Sequence, residues 1–346
     1  MSSVDVFVPC YRYGHFLREC VESVLNQSNV SVRVLIIDDA SPDNTAEIAA
    51  ALVSEDPRVS FIRHIENKGH IATYNEGIEW AAADYMLLLS ADDYLLPGAL
   101  SRAAELMDAH PEVGFTFGNV IQLSDSGNEM PTKSIVEPRD GSGRRILEGR
   151  EFIELSGADN LVASCSAVVR TALQKRFGGY RHELPHTGDM EMWLRFAAHA
   201  SVGFMSAYQG VYRQHRANMS TGYYFISDRG LIFTKNGRLR DLQQRKSAFD
   251  CFFERCNGVL PRCEDLHRRL YRELSKSAVQ RASVAFNDGQ MEESRQLSDF
   301  ALAVCPEIMS SSVWVKLTCK RWMGARTWGA LRPAAAAISR AAASRQ

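Results

Sequence analysis

The sequence predicts an α/β fold, in which a doubly wound, mostly parallel sheet flanked by helices is followed by an α-helical C-terminal region. In roughly the first 220 residues, short apolar segments alternate with segments of helical periodicity, as in parallel sheets with helical crossovers. Residues 85–89 form an almost unbroken apolar run, which is typical of a strand buried on both faces. Beyond about Tyr224 the strand signals stop and helical periodicity dominates.

Each predicted strand of the first half is followed by a predicted helix, which implies parallel pairing through right-handed crossovers. The helical assignments depend on apolar residues that share one face and on Pro97, which suits a first helical turn. The strands are residues 4–9, 32–37, 59–63 and 85–89, and the helices are residues 16–27, 45–52, 71–82 and 99–109.

The second half is less regular. A polar, turn-rich segment at residues 124–149 is too long for a plain connection, so it is either a substrate-facing loop or a variable surface insertion. We divide the chain into a sheet-containing domain, residues 1–224, and a helical region, residues 225–346. The predicted strands of this half are residues 113–123, 164–170 and 202–212, and the helices are residues 171–177, 190–200, 241–256, 264–285 and 291–304.

The composition excludes several classes of protein. A formal net charge of -1 gives no general attraction to nucleic acid. The eight cysteines include no CxxC and no paired Cys/His spacing, so neither a zinc site nor a disulfide framework is expected. The sequence shows no signal-peptide pattern and no apolar run of membrane-spanning length. We therefore expect a cytoplasmic protein, attached to membrane at most at its surface.

Charge is concentrated in the tail, residues 313–346, which holds seven basic residues and no acidic one. Three tryptophans are interleaved with these cations, a composition that suits an anionic membrane surface. The alternative is a helix docked on the protein with a solvated basic face. The first interpretation predicts a peripheral protein of the inner face of the plasma membrane.

Adjacent carboxylates follow two of the predicted parallel strands. Asp38 and Asp39 end the second strand, and Asp92 and Asp93 follow the fourth. Open α/β sheets bind ligands at the carboxyl ends of their strands. Carboxylate oxygens suit Mg²⁺ or Mn²⁺, and such an ion neutralises a diphosphate. The alternative is that the aspartates only cap the following helices.

Six motifs in a fixed order resemble family 2 of the glycosyltransferases, which have the GT-A fold, use nucleotide-sugar donors and invert the anomeric centre. Together they cover residues 3–220. The resemblance implies a Rossmann-like GT-A catalytic domain over residues 1–224. The motifs are VPCY at residues 8–11, DDASPD at 38–43, NKG at 67–69 with NEG at 75–77, SADD at 90–93, GDMEMWLR at 188–195 and YRQH at 212–215.

The resemblance implies where the nucleotide would bind. Asp39 would contact the imide of the base, with Asp38 close behind it. Pro9 and Tyr11 would form the wall against the base and ribose. The alternative for the two aspartates is helix capping.

The ribose and the diphosphate would lie next to the fourth strand. By resemblance, Asp92 would hydrogen-bond the ribose, and Asp93 would coordinate the Mn²⁺ or Mg²⁺ that bridges the diphosphate. The family usually has a third aspartate where this chain has Ser90. Asn67 and Gly69 lie in a turn whose backbone N–H groups could approach the diphosphate, or whose role is purely structural.

The last strand is followed by two further candidates. In the family, the segment matching Arg213 and His215 contacts phosphate or metal. We therefore expect His215 to bind the metal or the phosphate and Arg213 to neutralise phosphate. The alternative for His215 is an ordinary surface histidine.

Inverting transfer requires a base that deprotonates the acceptor hydroxyl. In the family this base is the aspartate of a Glu-Asp pair at a helix start, and the matching pair here is Gly188 and Asp189. Asp189 is therefore the expected base, although the glutamate is absent. A helix cap is the alternative for Asp189, and Glu191 is then the next candidate for the base.

These expectations describe a metal-dependent, inverting glycosyltransferase that uses a UDP-sugar and a glycan or lipid-linked acceptor in surface polysaccharide assembly. A sugar nucleotidyltransferase of similar fold is one alternative, but it should carry a glycine-rich basic loop where this chain has PCYRYG at residues 9–14. A non-enzymatic, GT-A-like binding protein is the other alternative. Against it, both Asp93 and Asp189 are present.

Overall fold

The computed structural model describes residues 1–132, 135–138, 141–227, 230–234, 236–256, 258–324, 327–328 and 330. Its strands are β1 (Ser3–Cys10), β2 (Ser31–Asp38), β3 (Val59–Arg63), β4 (Tyr85–Leu88), β5 (Tyr94–Leu95), β6 (Val113–Ser124), β7 (Glu129–Pro131), β8 (Arg144–Leu147), β9 (Val168–Arg170), β10 (Ser201–Gln214), β11 (Tyr224–Ser227) and β12 (Gly230–Phe233). Its helices are α1 (Gly14–Leu25), α2 (Thr45–Glu55), α3 (His70–Trp80), α4 (Ala99–Ala109), α5 (Gly149–Ser156), α6 (Thr171–Phe177), α7 (Gly188–Ala197), α8 (Gly237–Cys256), α9 (Cys263–Asn287), α10 (Met291–Val304) and α11 (Ser312–Met323).

Ten strands form one mixed sheet, in which β3, β2, β1, β4, β9, β6, β10 and β5 lie in that order. The first four are parallel, as the alternation of strands and helices predicts, and β6 is parallel to β10. The short β9 is antiparallel to both of its neighbours, β4 and β6. The prediction of an α/β fold with a helical C-terminal region is confirmed, and the sheet is parallel mainly on the side of β1 to β4.

Parallel pairing brings the carboxyl ends of β1, β2 and β4 to one edge of the sheet. The register aligns Cys10 with Asp38 and Phe7 with Leu88. The segments that follow these three strands therefore start side by side. This is the edge at which open α/β sheets bind ligands.

Alternate residues of the strands pack into two cores on opposite faces of the sheet. On β1, Val6 and Val8 join the core formed with α1, α2 and α4, whereas Phe7 joins the core on the other face. That second core also contains Leu242 of α8 and Leu270 of α9. The helical region therefore shares a continuous apolar core with the sheet, although the architecture changes near residue 224.

Several short elements differ from the sequence-based expectation. Strand signals do not stop at Tyr224, because β11 and β12 pair as an antiparallel hairpin. The polar segment 124–149 contains β7 and β8, which pair with the edges of β6 and β10. These strands have only three or four residues each, too few to produce a readable alternation.

The described part of the tail is docked on the protein. Leu317 of α11 is buried, and the Arg321 guanidinium donates to the Ser294 carbonyl at 2.7 Å. The Trp328 indole N–H donates to the Asn287 side chain at 2.8 Å. These contacts favour the docked interpretation for residues 312–324, where Trp322 nevertheless stays exposed. The cations Arg326, Arg332, Arg340 and Arg345 lie outside the described residues. Within the described ranges, no helix is long and apolar enough to cross a membrane.

The contact between α3 and β1 yields a stability prediction. A Cβ atom at Gly77 of α3 would lie 2.2 Å from Cδ2 of Phe7, whose ring is buried and cannot move aside. Gly77→Ala should therefore lower the free energy of unfolding by about 1–3 kcal/mol, as overpacking does. Gly222→Ala is the matched control, because a Cβ atom there meets nothing within 4 Å. Denaturant unfolding in which the two variants are equally stable would contradict the packing described.

Candidate active site

An open cleft of about 1120 Å³ lies over the carboxyl ends of β1, β2 and β4. It is lined by the segments after these strands, by the start of α3, and by the segments on either side of the start of α7 and after β10. The sequence-predicted site residues that line the cleft are Pro9, Tyr11, Asp39, Asn67, Gly69, Asp92, Asp189 and His215. Three others, Asp38, Asp93 and Arg213, are buried and do not line it.

Asp39 organises the loop on the side of the cleft formed by β2. Its Oδ1 accepts the Lys68 N–H at 2.8 Å and its Oδ2 accepts the Gly69 N–H at 2.9 Å. Gly69 has a φ of +82°, a left-handed backbone conformation that favours glycine. The buried His64 ring lies between Asp39 and Glu76, with its nitrogens 2.7 and 2.9 Å from their carboxylate oxygens. The carboxylate of Asp39 therefore reaches the cleft from a fixed position.

Asp38 has a structural role instead of the predicted contact with the base. Its Oδ1 accepts the Ser41 N–H at 2.8 Å, and its Oδ2 lies 3.3 Å from Nε of Arg63. The side chain is fully buried beneath the turn that follows β2. The predicted binding role of Asp38 does not fit this placement.

Asp92 presents one carboxylate oxygen to hydrogen-bond donors and keeps the other available. Its Oδ2 is 3.1 Å from both Nε2 of His215 and Nδ2 of Asn218. Among the described residues, no protein group hydrogen-bonds to Oδ1 of Asp92. The backbone N–H of Ala217 donates to Nδ1 of His215 at 3.2 Å, which leaves the proton of a neutral ring on Nε2. His215 therefore stands as a donor to Asp92.

Asp93 lies behind Asp92, out of the cleft. Its Oδ1 accepts the backbone N–H of Arg213 at 2.9 Å, and its side chain is almost fully buried. Burial, together with the negative charge of Asp92, holds the pKa of Asp93 well above its ordinary value. The expectation that Asp93 coordinates the metal does not fit this position, since an ion in the cleft would meet Asp92 first.

Arg213 is also turned away from the cleft. Its guanidinium donates to the Asp92 carbonyl at 2.7 Å, pairs with Glu19, and lies between the rings of Phe16 and Tyr94 at 4.8 and 4.7 Å. Alternate residues of a strand point to opposite faces, so Arg213 and the cleft-lining Tyr212 cannot both reach the ligand. The predicted phosphate contact of Arg213 is therefore not supported.

Asp189 lies in the first turn of α7 and faces the cleft. Its Oδ2 accepts the Asn160 side-chain N–H at 2.8 Å, and its Oδ1 accepts the Met190 backbone N–H at 2.8 Å. Burial raises the pKa of Asp189 above its ordinary value, and these hydrogen bonds offset that effect only in part. A Cβ atom at Gly188 would lie 3.1 Å from the Tyr180 ring, so the aromatic ring fills space next to the position where the family has glutamate.

Glu191, the alternative base, is unsuited to that role. It is buried and does not line the cleft. Its carboxylate oxygens lie 3.1 Å from Nη2 of Arg195 and 3.0 Å from Nε of Arg181. Trp193, on the same helix, stacks on the buried Phe115 and belongs to the core.

The structure adds cleft residues that the sequence interpretation missed. Arg12 and Arg216 bring two exposed cations to the cleft, and Tyr74 lines it with Tyr180. The position of Arg216 in the sequence could have indicated its role. It lies in the turn beyond β10, where the side chain is no longer restricted to one face of the sheet. Asn160 could not have been found, because no pattern links it to Asp189.

Comparison with known proteins gives a match to a protein-family model. Residues 5–177 match the family model described as glycosyl transferase family 2. This match includes Asp39 and Asp92 but ends before Asp189 and His215.

Among curated proteins, an uncharacterised protein (MT1568) of Mycobacterium tuberculosis is 28% identical over 234 residues, which are 66% of this chain and 72% of that protein. Glycosyltransferase GlyG of Streptococcus pneumoniae is 40% identical over 91 residues, which are 26% of this chain and 30% of that protein. Chondroitin synthase of Pasteurella multocida is 35% identical over 97 residues, which are 28% of this chain and 10% of that enzyme. The chain therefore spans well under two thirds of the last two relatives.

Two solved structures share the fold. TarS (residues 1-349) of S. aureus, in complex with UDP-GlcNAc, superposes with a TM-score of 0.53 at 13% identity, over 86% of this chain and 90% of that one. Mannosyltransferase PcManGT from Pyrobaculum calidifontis, in complex with GDP-mannose and Mn²⁺, gives a TM-score of 0.51 at 16% identity, over 94% of this chain and 86% of that one. At such low identity the likeness concerns the fold alone.

Proposed function

Because this chain belongs to glycosyl transferase family 2, we propose that it transfers a sugar from a nucleoside diphosphate donor to a hydroxyl group, with inversion of the anomeric centre. One observation carries this proposal. The same cleft is lined by Asp92, whose Oδ1 has no hydrogen-bond partner among the described residues, and by Asp189, whose pKa is raised by burial. A carboxylate that can hold a divalent ion and a second carboxylate that can accept a proton suit such a transfer.

The donor nucleotide would occupy the side of the cleft formed by the ends of β1 and β2. Pro9 and Tyr11 offer an apolar and aromatic wall there, and Asp39 offers a fixed carboxylate that can accept a hydrogen bond from a base imide. Asn67 and Gly69 shape the adjoining loop. We take a UDP-sugar as the donor, and the two structures of similar fold contain UDP-GlcNAc and GDP-mannose.

A divalent ion fits at Asp92. Mg²⁺ and Mn²⁺ prefer oxygen ligands, and Oδ1 of Asp92 would be available to hold such an ion beside a diphosphate. In the part of the chain that the structure describes, no group of three or more His, Cys, Asp or Glu side chains is arranged to hold a metal. When bound, the ion would neutralise the charge of the departing diphosphate. Arg216 would contribute to the same end from the protein, and His215 would hold Asp92 in place through its Nε2–H.

Asp189 would act as the general base. Its carboxylate takes the proton of the acceptor hydroxyl while the acceptor oxygen bonds to the anomeric carbon on the face opposite the nucleotide. The bond between that carbon and the diphosphate oxygen breaks, and the electron pair leaves with the nucleotide. A pKa raised by burial makes Asp189 a stronger base than an ordinary aspartate. Asn160 holds one of its oxygens in place.

The acceptor would be a glycan or a lipid-linked saccharide in surface polysaccharide assembly. Support comes from the relatives, since one is named a glycosyltransferase and another a chondroitin synthase. Aromatic side chains, including Tyr74, Tyr180 and Tyr223, line the cleft on the side of Asp189. Attachment to an anionic membrane surface at the inner face of the plasma membrane remains a prediction from the basic tail.

The metal assignment distinguishes two neighbouring aspartates. Asp92→Asn should remove the increase in UDP affinity that Mn²⁺ produces, because the free oxygen that would bind the ion is lost. Asp93→Asn is the matched control, since its amide oxygen can still accept the Arg213 N–H and it does not line the cleft. Isothermal titration calorimetry of UDP and GDP binding to each variant, with and without Mn²⁺, measures the effect of the ion on nucleotide affinity. Loss of the Mn²⁺ effect in Asp93→Asn alone would restore Asp93 as the ligand.

The assignment of the base predicts a change in turnover without a change in donor binding. Asp189→Asn keeps the shape of the side chain but cannot accept a proton, so hydrolysis or transfer from UDP-GlcNAc should slow by about 10²- to 10⁴-fold. The KM for the donor should stay constant, because Asp39 and Asp92 remain. Asp125→Asn, a change in an exposed carboxylate of the same cleft, should leave turnover nearly unaltered. A fall of less than about tenfold in Asp189→Asn, well below that general-base range, would assign the base elsewhere.

A further inference from the structure

Helix α8 contacts both segments that hold Asp189 in place, the one before α7 and the one that carries Asn160. The first contact is made by the two residues before α7. Nε2 of His186 lies 2.9 Å from Oδ1 of Asp241, and the Thr187 hydroxyl donates to the Gln244 carbonyl at 2.9 Å. The His186 ring also stacks on Tyr223 with ring centroids 3.7 Å apart. The start of α7, and with it Asp189, is therefore tied to α8.

The second contact reaches the partner of Asp189. Nη1 of Arg245 donates to the Ala158 carbonyl at 2.6 Å and to a carboxylate oxygen of Asp159 at 2.9 Å. Asn160 follows directly and donates to Asp189 at 2.8 Å. One guanidinium on α8 thus fixes the backbone that presents the hydrogen-bond donor of the base.

Asp241 joins the two contacts. Its Oδ2 accepts Nε of Arg245 at 2.8 Å and Nη1 of Arg281, on α9, at 2.6 Å, while its Oδ1 faces His186. Burial alone would raise the pKa of Asp241, but the His186 hydrogen bond and the charges of Arg245 and Arg281 hold it well below the ordinary value. A buried carboxylate with this many donors is ionised and rigidly held.

We propose that Asp241 and Arg245 are positioning residues for Asp189, through which the helical region orients the active site. The proposal rests on the proposed role of Asp189 as the base. Both positioning residues lie outside residues 5–177, the part of the chain that matches the family model.

The contacts of Asp241 and Arg245 extend beyond α8 to the segments around Asp189, which would not be needed if the pair only stabilised the helix. Asp241 and Arg245 are four residues apart on the helix, as are Lys246 and Asp250. The second pair is exposed, and its Asp250 accepts a hydrogen bond from Tyr271 of α9. Only the first pair extends to residues 158–160 and to His186. Two ion pairs with the same four-residue spacing on one helix therefore allow an effect on the position of Asp189 to be separated from an effect on stability.

The test compares neighbouring substitutions on α8. Arg245→Gln removes the contacts to Ala158 and Asp159, and misplacement of the base by about 1 Å should slow Mn²⁺-dependent hydrolysis of UDP-GlcNAc roughly 10²-fold with the donor KM unchanged. Lys246→Gln should leave both kcat and the donor KM unaltered. Thr187→Val, which removes the other tie without a change in charge, should also lower kcat and not the donor KM, and it carries the test if Arg245→Gln does not fold.

A double variant shows whether Arg245 acts through Asp189. If it does, adding Arg245→Gln to Asp189→Asn should cause no further fall in kcat, because the base is already absent. Falls that multiply would overturn the inference while leaving Asp189 as the base. A kcat unchanged in both Arg245→Gln and Thr187→Val, with only the melting temperature lowered, would overturn it as well. A near-normal kcat in Asp189→Asn alone would instead overturn the proposed base, and this inference with it.

Discussion

The parallel pairing of β1 with both β2 and β4 is the constraint on which the site depends. Residues far apart in the chain, such as Asp39 and Asp92, line one cleft because the strands that precede them run in one direction and end at one edge. The pairing is held by apolar residues that alternate between two cores, so a shift of one residue in β1 would exchange its two faces. The strands thus fix where the carboxylates enter the cleft, and the loops determine which oxygens remain available.

Sequence periodicity predicted the regular elements well, and α4, α6 and α10 have the expected boundaries because their apolar positions repeat cleanly. It could not decide between Asp92 and Asp93, because the chain has left β4 and turns there, so alternation no longer applies. Alternation could, however, have predicted that Tyr212 and Arg213 point to opposite faces of the sheet, because both lie on the continuous strand β10. The short strands β7 and β8 stayed obscure, since three or four residues are too few to show a clear alternation, whereas β9 lies within the predicted strand 164–170.

The relation between the helical region and the site was also beyond the sequence. An acid and a base four residues apart, such as Asp241 and Arg245, usually indicate a solvated helix face. Here Asp241 is buried and meets His186, 55 residues earlier in the chain. Only tertiary structure turns this pair into a support for α7. The loss of the family's glutamate at Gly188 is accompanied by the Tyr180 ring beside that position and by the contacts from α8.

The pH dependence of kcat tests the central claim most directly, since that claim makes one buried carboxylate the base. Asp189 must be ionised to accept a proton, and a raised pKa means that this form is lost at a higher pH than for an ordinary aspartate. With UDP-GlcNAc and Mn²⁺ saturating, kcat should therefore fall on the acid side through a pKa above about 3.9, the value of an unperturbed aspartate. The residual kcat of Asp189→Asn should lack that acid limb. An identical acid limb in both proteins would contradict the account.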